Sequence, residues 1–221
     1  MIDVVAGIGV ALGFLLGIMG HELAHHLLAD KLGDRSPRFM GRLKPSLQKQ
    51  ADPLGTYILP GVFIAAAIFL APLRPMFGWG KRHDLNLRML RGRAPLLVLV
   101  AGPGATLALG IGTGAVTRAL SGGGGHFSRV AFWTTVVLAS MTVVDLLPMP
   151  GRDGGRILGR FLSPQASMKM EELIQYEVLF LILALFFLGQ VTWGMIRPVC
   201  QALTGIPNCV DPARAFISSP F

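Results

Sequence analysis

Five stretches of this chain run for 15 or more residues without a charged side chain, and charged residues collect in the gaps between them. Val4–Gly20 is uncharged over 17 residues, and its apolar pattern continues through Leu28, interrupted only by His21, Glu22, His25 and His26. Leu54–Leu73 follows with 20 residues, Ala94–Val116 with 23, Val130–Val144 with 15 and Val178–Ile196 with 19. A helix needs about 20 apolar residues to cross hydrocarbon. The pattern therefore predicts an all-α polytopic membrane protein whose five hydrophobic segments need not all be full crossings.

The first segment does not read as a cleavable leader, because Met1-Ile2-Asp3 carries no basic residue and no small-x-small site follows the apolar run. Gly122–Gly125 reads as a loop, since four successive glycines lose too much backbone entropy to stay helical. No repeat or shift of composition marks off a second unit. Residues 1–221 read as a single domain with its core at about 4–160, a last span at about 174–196 and a tail at 197–221.

Composition narrows the function classes. The chain is 52% hydrophobic and 14% charged, against roughly 25% charged in a soluble domain, and its mean hydropathy is +0.58. A net charge of +8 on a soluble protein would point to nucleic acid. On a polytopic chain, basic residues instead mark the cytoplasmic loops, so the expected partner is the lipid bilayer and no nucleic acid. The two cysteines, Cys200 and Cys209, are either unrelated thiols or a disulfide, the second only if the tail faces an oxidising compartment.

The chemistry lies at the end of the first segment, in Gly20-His21-Glu22-Leu23-Ala24-His25. This is H-E-x-x-H, and on a helix residues i and i+4 share a face, so two imidazoles can reach one zinc ion. Glu22 points to the side of that metal, where a carboxylate can take a proton from a water whose pKa zinc lowers to about 7. Ionisable groups in hydrocarbon cost several kcal/mol each, so three within five residues call for a common partner. His26 points about 100° away from His25 around the helix and reads as an interfacial histidine outside the ligand set. Catalytic zinc usually takes three protein ligands, and the third can come from Asp145 or Asp153, both just past the fourth segment. Pro148, Pro150 and Gly151 break the helix between them. Irregular backbone at membrane depth is tolerated where it lines a cavity or is buried in protein.

These residues resemble the site-2 protease family of intramembrane zinc metalloproteases, in its compact subgroup without PDZ or CBS domains. That family pairs H-E-x-x-H with a later N-x-x-P-x-P-x-L-D-G stretch. Here Asp145 stands at the Asn position, Pro148 and Pro150 at the prolines and Asp153-Gly154 at the Asp-Gly. The resemblance implies His21, His25 and Asp153 as ligands of one Zn2+ and Glu22 as catalytic base. Ala101-Gly102-Pro103-Gly104-Ala105-Thr106 is similar to the family's A-G-P-x-x-N motif, and Asp52–Thr56 with Pro60 and Phe77–Lys81 resemble stretches of the compact subgroup. Asp145, Pro148, Pro150, Thr106 and Lys81 are implied as second-shell or substrate-contacting residues. Four departures stand out. Asp145 and Thr106 replace Asn, Arg152 replaces the Leu before the Asp-Gly, and Arg82-His83-Asp84-Leu85 replaces a Pro-Val-Pro-Val edge. Asp145 either is protonated or contributes to holding the ion; none of the four removes a ligand or the base.

For the ends of segments one and four to meet, the two must run in the same direction. Loops 30–53, 74–93 and 150–172 then share one side, and Leu54–Leu73 must be re-entrant, or broken near Pro60-Gly61. These loops hold 16 of the 20 Lys and Arg residues, with only Arg118, Arg129, Arg197 and Arg214 left over. The positive-inside bias makes that side cytoplasmic and puts the N-terminus outside. The expected architecture is about four full transmembrane helices plus one re-entrant segment, with zinc near the cytoplasmic face, in the cell membrane of a prokaryote. The expected activity is cleavage of a peptide bond within or beside a transmembrane segment of a single-span membrane protein. The resemblance suggests anti-sigma-type regulators as substrates. The alternative is a membrane metal-ion transporter or a metal-binding scaffold without protease activity. A reporter fused near residue 85 is expected on the cytoplasmic side; activity on the outer side would refute the topology.

Overall fold

The computed structural model describes residues 3–69, 76–81, 86–87, 89–121, 125–187, 189–206 and 209, without the side chains of 182 and 184–190. The Arg82–Leu85 stretch, Gly122–Gly124 and the tail from 210 lie outside these residues. Among the described residues every regular element is helical and no strand forms. In order these are α1 (Val4–Leu32), the single turns α2 (Ser36–Phe39) and α3 (Leu47–Gln50), a π-helical turn at Pro53–Ile58 and α4 (Leu59–Phe69). There follow α5 (Ala94–Leu120), α6 (His126–Leu146), α7 (Asp153–Gly159), α8 (Pro164–Glu172), a 3-10 turn at Leu173–Tyr176, α9 (Glu177–Phe187) and α10 (Gly189–Thr204).

Three of these helices, α1, α5 and α6, are long and apolar enough to cross a membrane. In α1, Asp3 caps the start by accepting the Ala6 N–H at 3.0 Å, and Gly33 ends it in a left-handed conformation (φ +116). The helix buries Ala6, Val10, Phe14 and Ile18 and exposes Val4, Ile8, Leu12 and Leu15. Both faces are apolar, so the outer one suits lipid rather than water.

Close approach of backbones holds this trio together. Gly9, Gly13 and Gly17 recur every fourth residue on α1, and a Cβ at each would come within 2.6 Å of Trp133 Cβ, Val137 Cβ and Met141 Sδ respectively. In an apolar surrounding, helices gain little from hydrophobic burial and associate through such close van der Waals contact. The pairing also fixes direction, because both numbers rise together: α1 and α6 run parallel. α5 runs antiparallel to both, with the Val98 carbonyl against His25, and Thr106 and Thr113 against Thr142 and Thr135.

The second hydrophobic segment is continuous at Pro60-Gly61, since α4 runs through both residues. Pro60 stands just past the π-helical turn Pro53–Ile58, where the helix changes type without ending. Pro53–Phe69 lies antiparallel to α1, with Phe63 stacked on Phe14 at 5.7 Å and the Ile68 carbonyl accepting the Asp3 N–H at 2.8 Å. The chain then returns alongside. Phe77 meets Phe63 at 5.6 Å, the Trp79 N–H donates to the Gly55 carbonyl at 3.2 Å, and Ala51 and Gly80 form an isolated antiparallel bridge. Both ends of this excursion therefore meet beside α1 near Glu22, on which Gly80 packs directly.

The last two helices start at the same end, where Glu177 packs on Gly151, and finish with Leu203 against Gly110 and Gly114 of α5. Cys200 and Cys209 form a disulfide across a Cα–Cα distance of 6.0 Å, so the second of the two readings of these cysteines holds. Gly13→Leu tests the packing: overfilling the α1–α6 contact is expected to cost about 1–3 kcal/mol, read as a lowered Tm in detergent, whereas Gly104→Leu, with nothing within 4 Å of its Cβ, leaves Tm unchanged.

Candidate metal centre

Helical periodicity and a broken helix bring three ligand atoms to one point. His21 and His25 project from successive turns of α1. Asp153 arrives from the other side of the α6–α7 turn, where Leu147 leaves the helix in extended conformation and Gly151 adopts φ +86. Gly154 and Gly155 press α7 onto this turn, since a Cβ on either would collide with the Leu146 or Met149 carbonyl. His25 Nε2 is 3.1 Å from His21 Nε2 and 3.1 Å from Asp153 Oδ2, and His21 Nε2 is 3.0 Å from Asp153 Oδ2. All three residues are buried, and they are the one such ligand cluster found among the described residues.

These side chains fit zinc. Four ligands at about 2.0–2.1 Å around a tetrahedral ion sit roughly 3.3 Å apart, close to the triangle observed. Tautomers agree as well. His25 Nδ1 lies 2.7 Å from the Val98 carbonyl, which can only accept, so Nδ1 carries the proton and Nε2 offers a lone pair. On His21, Asp145 Oδ2 lies 3.4 Å from Nδ1, an electrostatic contact on the side away from the triangle. Asp145 thus faces His21 from behind, while Asp153 brings the third atom that could hold a metal.

Glu22 is buried beside this triangle and lines the same cavity of about 50 Å3 as Trp79, Arg152 and Asp153. That volume admits water. A wider cleft bordered by Pro150, Ser167 and Gln175 adjoins it through Gly151 and Arg156.

The other sequence candidates occupy different positions. Thr106 is fully buried and its hydroxyl donates to the Pro103 carbonyl at 2.9 Å, serving the helix rather than the cavity. Pro148 is exposed and Pro150 borders the cleft. Lys81 has an exposed side chain and joins the site only through its backbone N–H, which donates to the Gln50 carbonyl at 2.6 Å. His26 is 1% exposed, so it belongs to the interior and not to an interface. Sequence reasoning missed Trp79 and Glu177. The one signal for Glu177 is its position at the edge of an apolar run, directly before Val178, as Asp145 stands directly after Val144.

Gly102 of α5 is the wall behind the imidazoles. A Cβ there would collide with His25 Nε2 and stand 2.7 Å from His21 Nε2. Gly102→Ala is therefore expected to lower bound zinc below half an equivalent, measured by elemental mass spectrometry on purified protein, while Gly104→Ala retains a full equivalent.

No protein-family model and no solved structure matches the chain. It is 31% identical over 191 residues to "Putative zinc metalloprotease YwhC" of Bacillus subtilis (strain 168), covering 80% of each chain. It is 28% identical over 193 residues to "Putative zinc metalloprotease Rip2" of Mycobacterium tuberculosis, covering 83% of this chain and 71% of the relative. The Rip2 of Mycolicibacterium smegmatis is 26% identical over 181 residues, with 80% and 66% covered. With its ligand triangle and an identity of 31% across four-fifths of both chains, this protein belongs to the zinc metalloprotease family of YwhC.

Proposed function

We propose that the protein is an intramembrane zinc endopeptidase of the site-2 protease type, cutting a membrane-anchored substrate within or beside its transmembrane segment. The observation that carries this reading is the buried triangle of His21, His25 and Asp153, with Glu22 in the same cavity, inside a bundle whose outer faces are apolar. A zinc ion held by the three side chains supplies a Lewis acid for the scissile carbonyl and lowers the pKa of a water beside it. Glu22 accepts the proton of the attacking water and delivers it to the departing amine nitrogen. Asp145 and the Val98 carbonyl hold the two imidazoles in register. The aromatic return segment at Phe77–Trp79 and the bundle wall enclose part of this cavity.

The same reading sets the topology. The metal centre faces the cytoplasm, α1, α5 and α6 cross the bilayer, and α9 with α10 forms the fourth crossing, since it begins beside Gly151 and ends beside Gly114. The excursion from Ala51 to Gly80 is re-entrant, entering and leaving on the cytoplasmic side. The Cys200–Cys209 disulfide supports this orientation: Leu203, close by on α10, packs against Gly110 and Gly114 in the half of the bundle remote from the metal ligands, which an oxidising exterior would face. The substrate is a single-span protein of the cell membrane, of the regulatory class to which anti-sigma factors belong. It must unwind locally to offer a peptide bond.

Purified protein with a membrane-anchored test peptide in liposomes tests the reading. Wild-type protein is expected to cleave, to stop with a zinc chelator and to recover when zinc is restored. Glu22→Gln is expected to keep its zinc and lose about 10²–10⁴-fold in kcat. Undiminished cleavage by Glu22→Gln would sink the mechanism, and zinc uptake into vesicles without any cleavage would favour a transporter.

A further inference from the structure

Arg152 is buried to 4% exposure beside the metal ligands, in a position where most of its charge would be costly without partners. Its Nη1 donates to Asp145 Oδ1 at 2.9 Å, its Nε lies 3.2 Å from Glu177 Oε1, and its guanidinium carbon sits 4.8 Å over the Trp79 ring. Three contacts from three elements fix the plane of the group. Nε makes an ion pair without a hydrogen bond, and Nη2 is buried with neither an ion pair nor a hydrogen-bond partner among the described residues. A buried N–H without an acceptor costs about 1–3 kcal/mol, and Arg152 lines the cavity that also holds Glu22 and Asp153. A fixed cation with an unsatisfied N–H thus stands in the wall of the cavity that Glu22 lines.

We propose that Arg152 is a further catalytic residue: Nη2 donates a hydrogen bond to the oxygen of the scissile carbonyl and stabilises the negative charge that develops on it. The inference rests on the peptidase reading above. In the step it serves, the water oxygen bonds to the carbonyl carbon, the carbonyl π pair moves onto oxygen and the water proton passes to Glu22. On collapse the C–N bond breaks, its electron pair goes to nitrogen, and nitrogen takes the proton from Glu22. Arg152 gains most where the oxygen is most negative, so its contribution falls on kcat rather than on substrate affinity. A role confined to neutralising Asp145 and Glu177 would need only Nη1 and Nε. The Trp79 contact and the unpartnered Nη2 go beyond it.

Arg152→Lys and Arg152→Met, beside wild type, test this through zinc content, kcat and KM on the anchored peptide, and Ki for a phosphinic peptide that mimics the tetrahedral carbon. At least one variant is expected to keep a full equivalent of zinc with KM unchanged, while kcat falls about 10²-fold and Ki for the phosphinic peptide rises by the same factor. Lysine keeps a charge between the two acids, so it is the decisive variant if the methionine protein loses metal. A zinc-bound variant with wild-type kcat, a Ki that does not follow kcat, or loss of zinc from both variants overturns the assignment. Absence of Glu22-dependent cleavage by zinc-bound wild type instead overturns the peptidase reading, and the assignment with it.

Discussion

The constraint on which the rest depends is that ionisable groups buried among apolar helices must face one another. His21, Glu22, His25 and His26 fall within six consecutive positions of a helix that is otherwise uncharged from Val4 to Ala29. Separated in hydrocarbon, each would cost several kcal/mol. Brought together with Asp153, His21 and His25 form a polar island whose ligand atoms face one another and the Val98 carbonyl, in a triangle that fits a metal ion. The parallel run of α1 and α6 follows from this, because only that arrangement brings the end of α6 beside the end of α1. So does the turn at Leu147–Arg152, which reverses the chain within six residues and aims Asp153 back into the bundle.

Two departures from the family motif are a single change when seen in space. An acid at 145 in place of Asn adds a buried negative charge behind His21, and an arginine at 152 in place of Leu adds a buried positive one. They pair at 2.9 Å. Glu177 completes the group at 3.2 Å and ties the start of α9 to the metal centre. Removing any one of these charges would strand another in the interior, so the three are coupled energetically.

Helix contact in this bundle rests on small and hydroxyl-bearing residues. Gly9, Gly13 and Gly17 bring α6 against α1, and Gly102 brings α5 against the imidazoles. The α5–α6 contact carries two hydroxyl pairs, Thr106 with Thr142 at 3.2 Å and Thr113 with Thr135 at 2.9 Å. Each hydroxyl also lies within hydrogen-bond distance of a carbonyl one turn back, so its single proton goes either there or across the interface, and neither choice leaves it without an acceptor. Thr106 therefore supports the wall behind the ligands although it never touches the cavity.

Much of this was legible in the residues alone. The apolar runs located α1, α5 and α6, the i, i+4 spacing located His21 and His25, and the Pro-Gly break located the turn carrying Asp153, because each is a local property of the chain. Local pattern could not choose between Asp145 and Asp153, place His26 inside, carry α4 unbroken through Pro60-Gly61, or bring Trp79 and Glu177 to the site. Those outcomes depend on how helices far apart in sequence slide against one another, and that register is set by glycines meeting large side chains across the interface. The residues alone put two imidazoles on one face of an apolar helix, one turn apart. Tertiary packing decided which acid joins them and which cation stands beside them, since convergence of buried charge is a property of the assembled bundle and of no single segment.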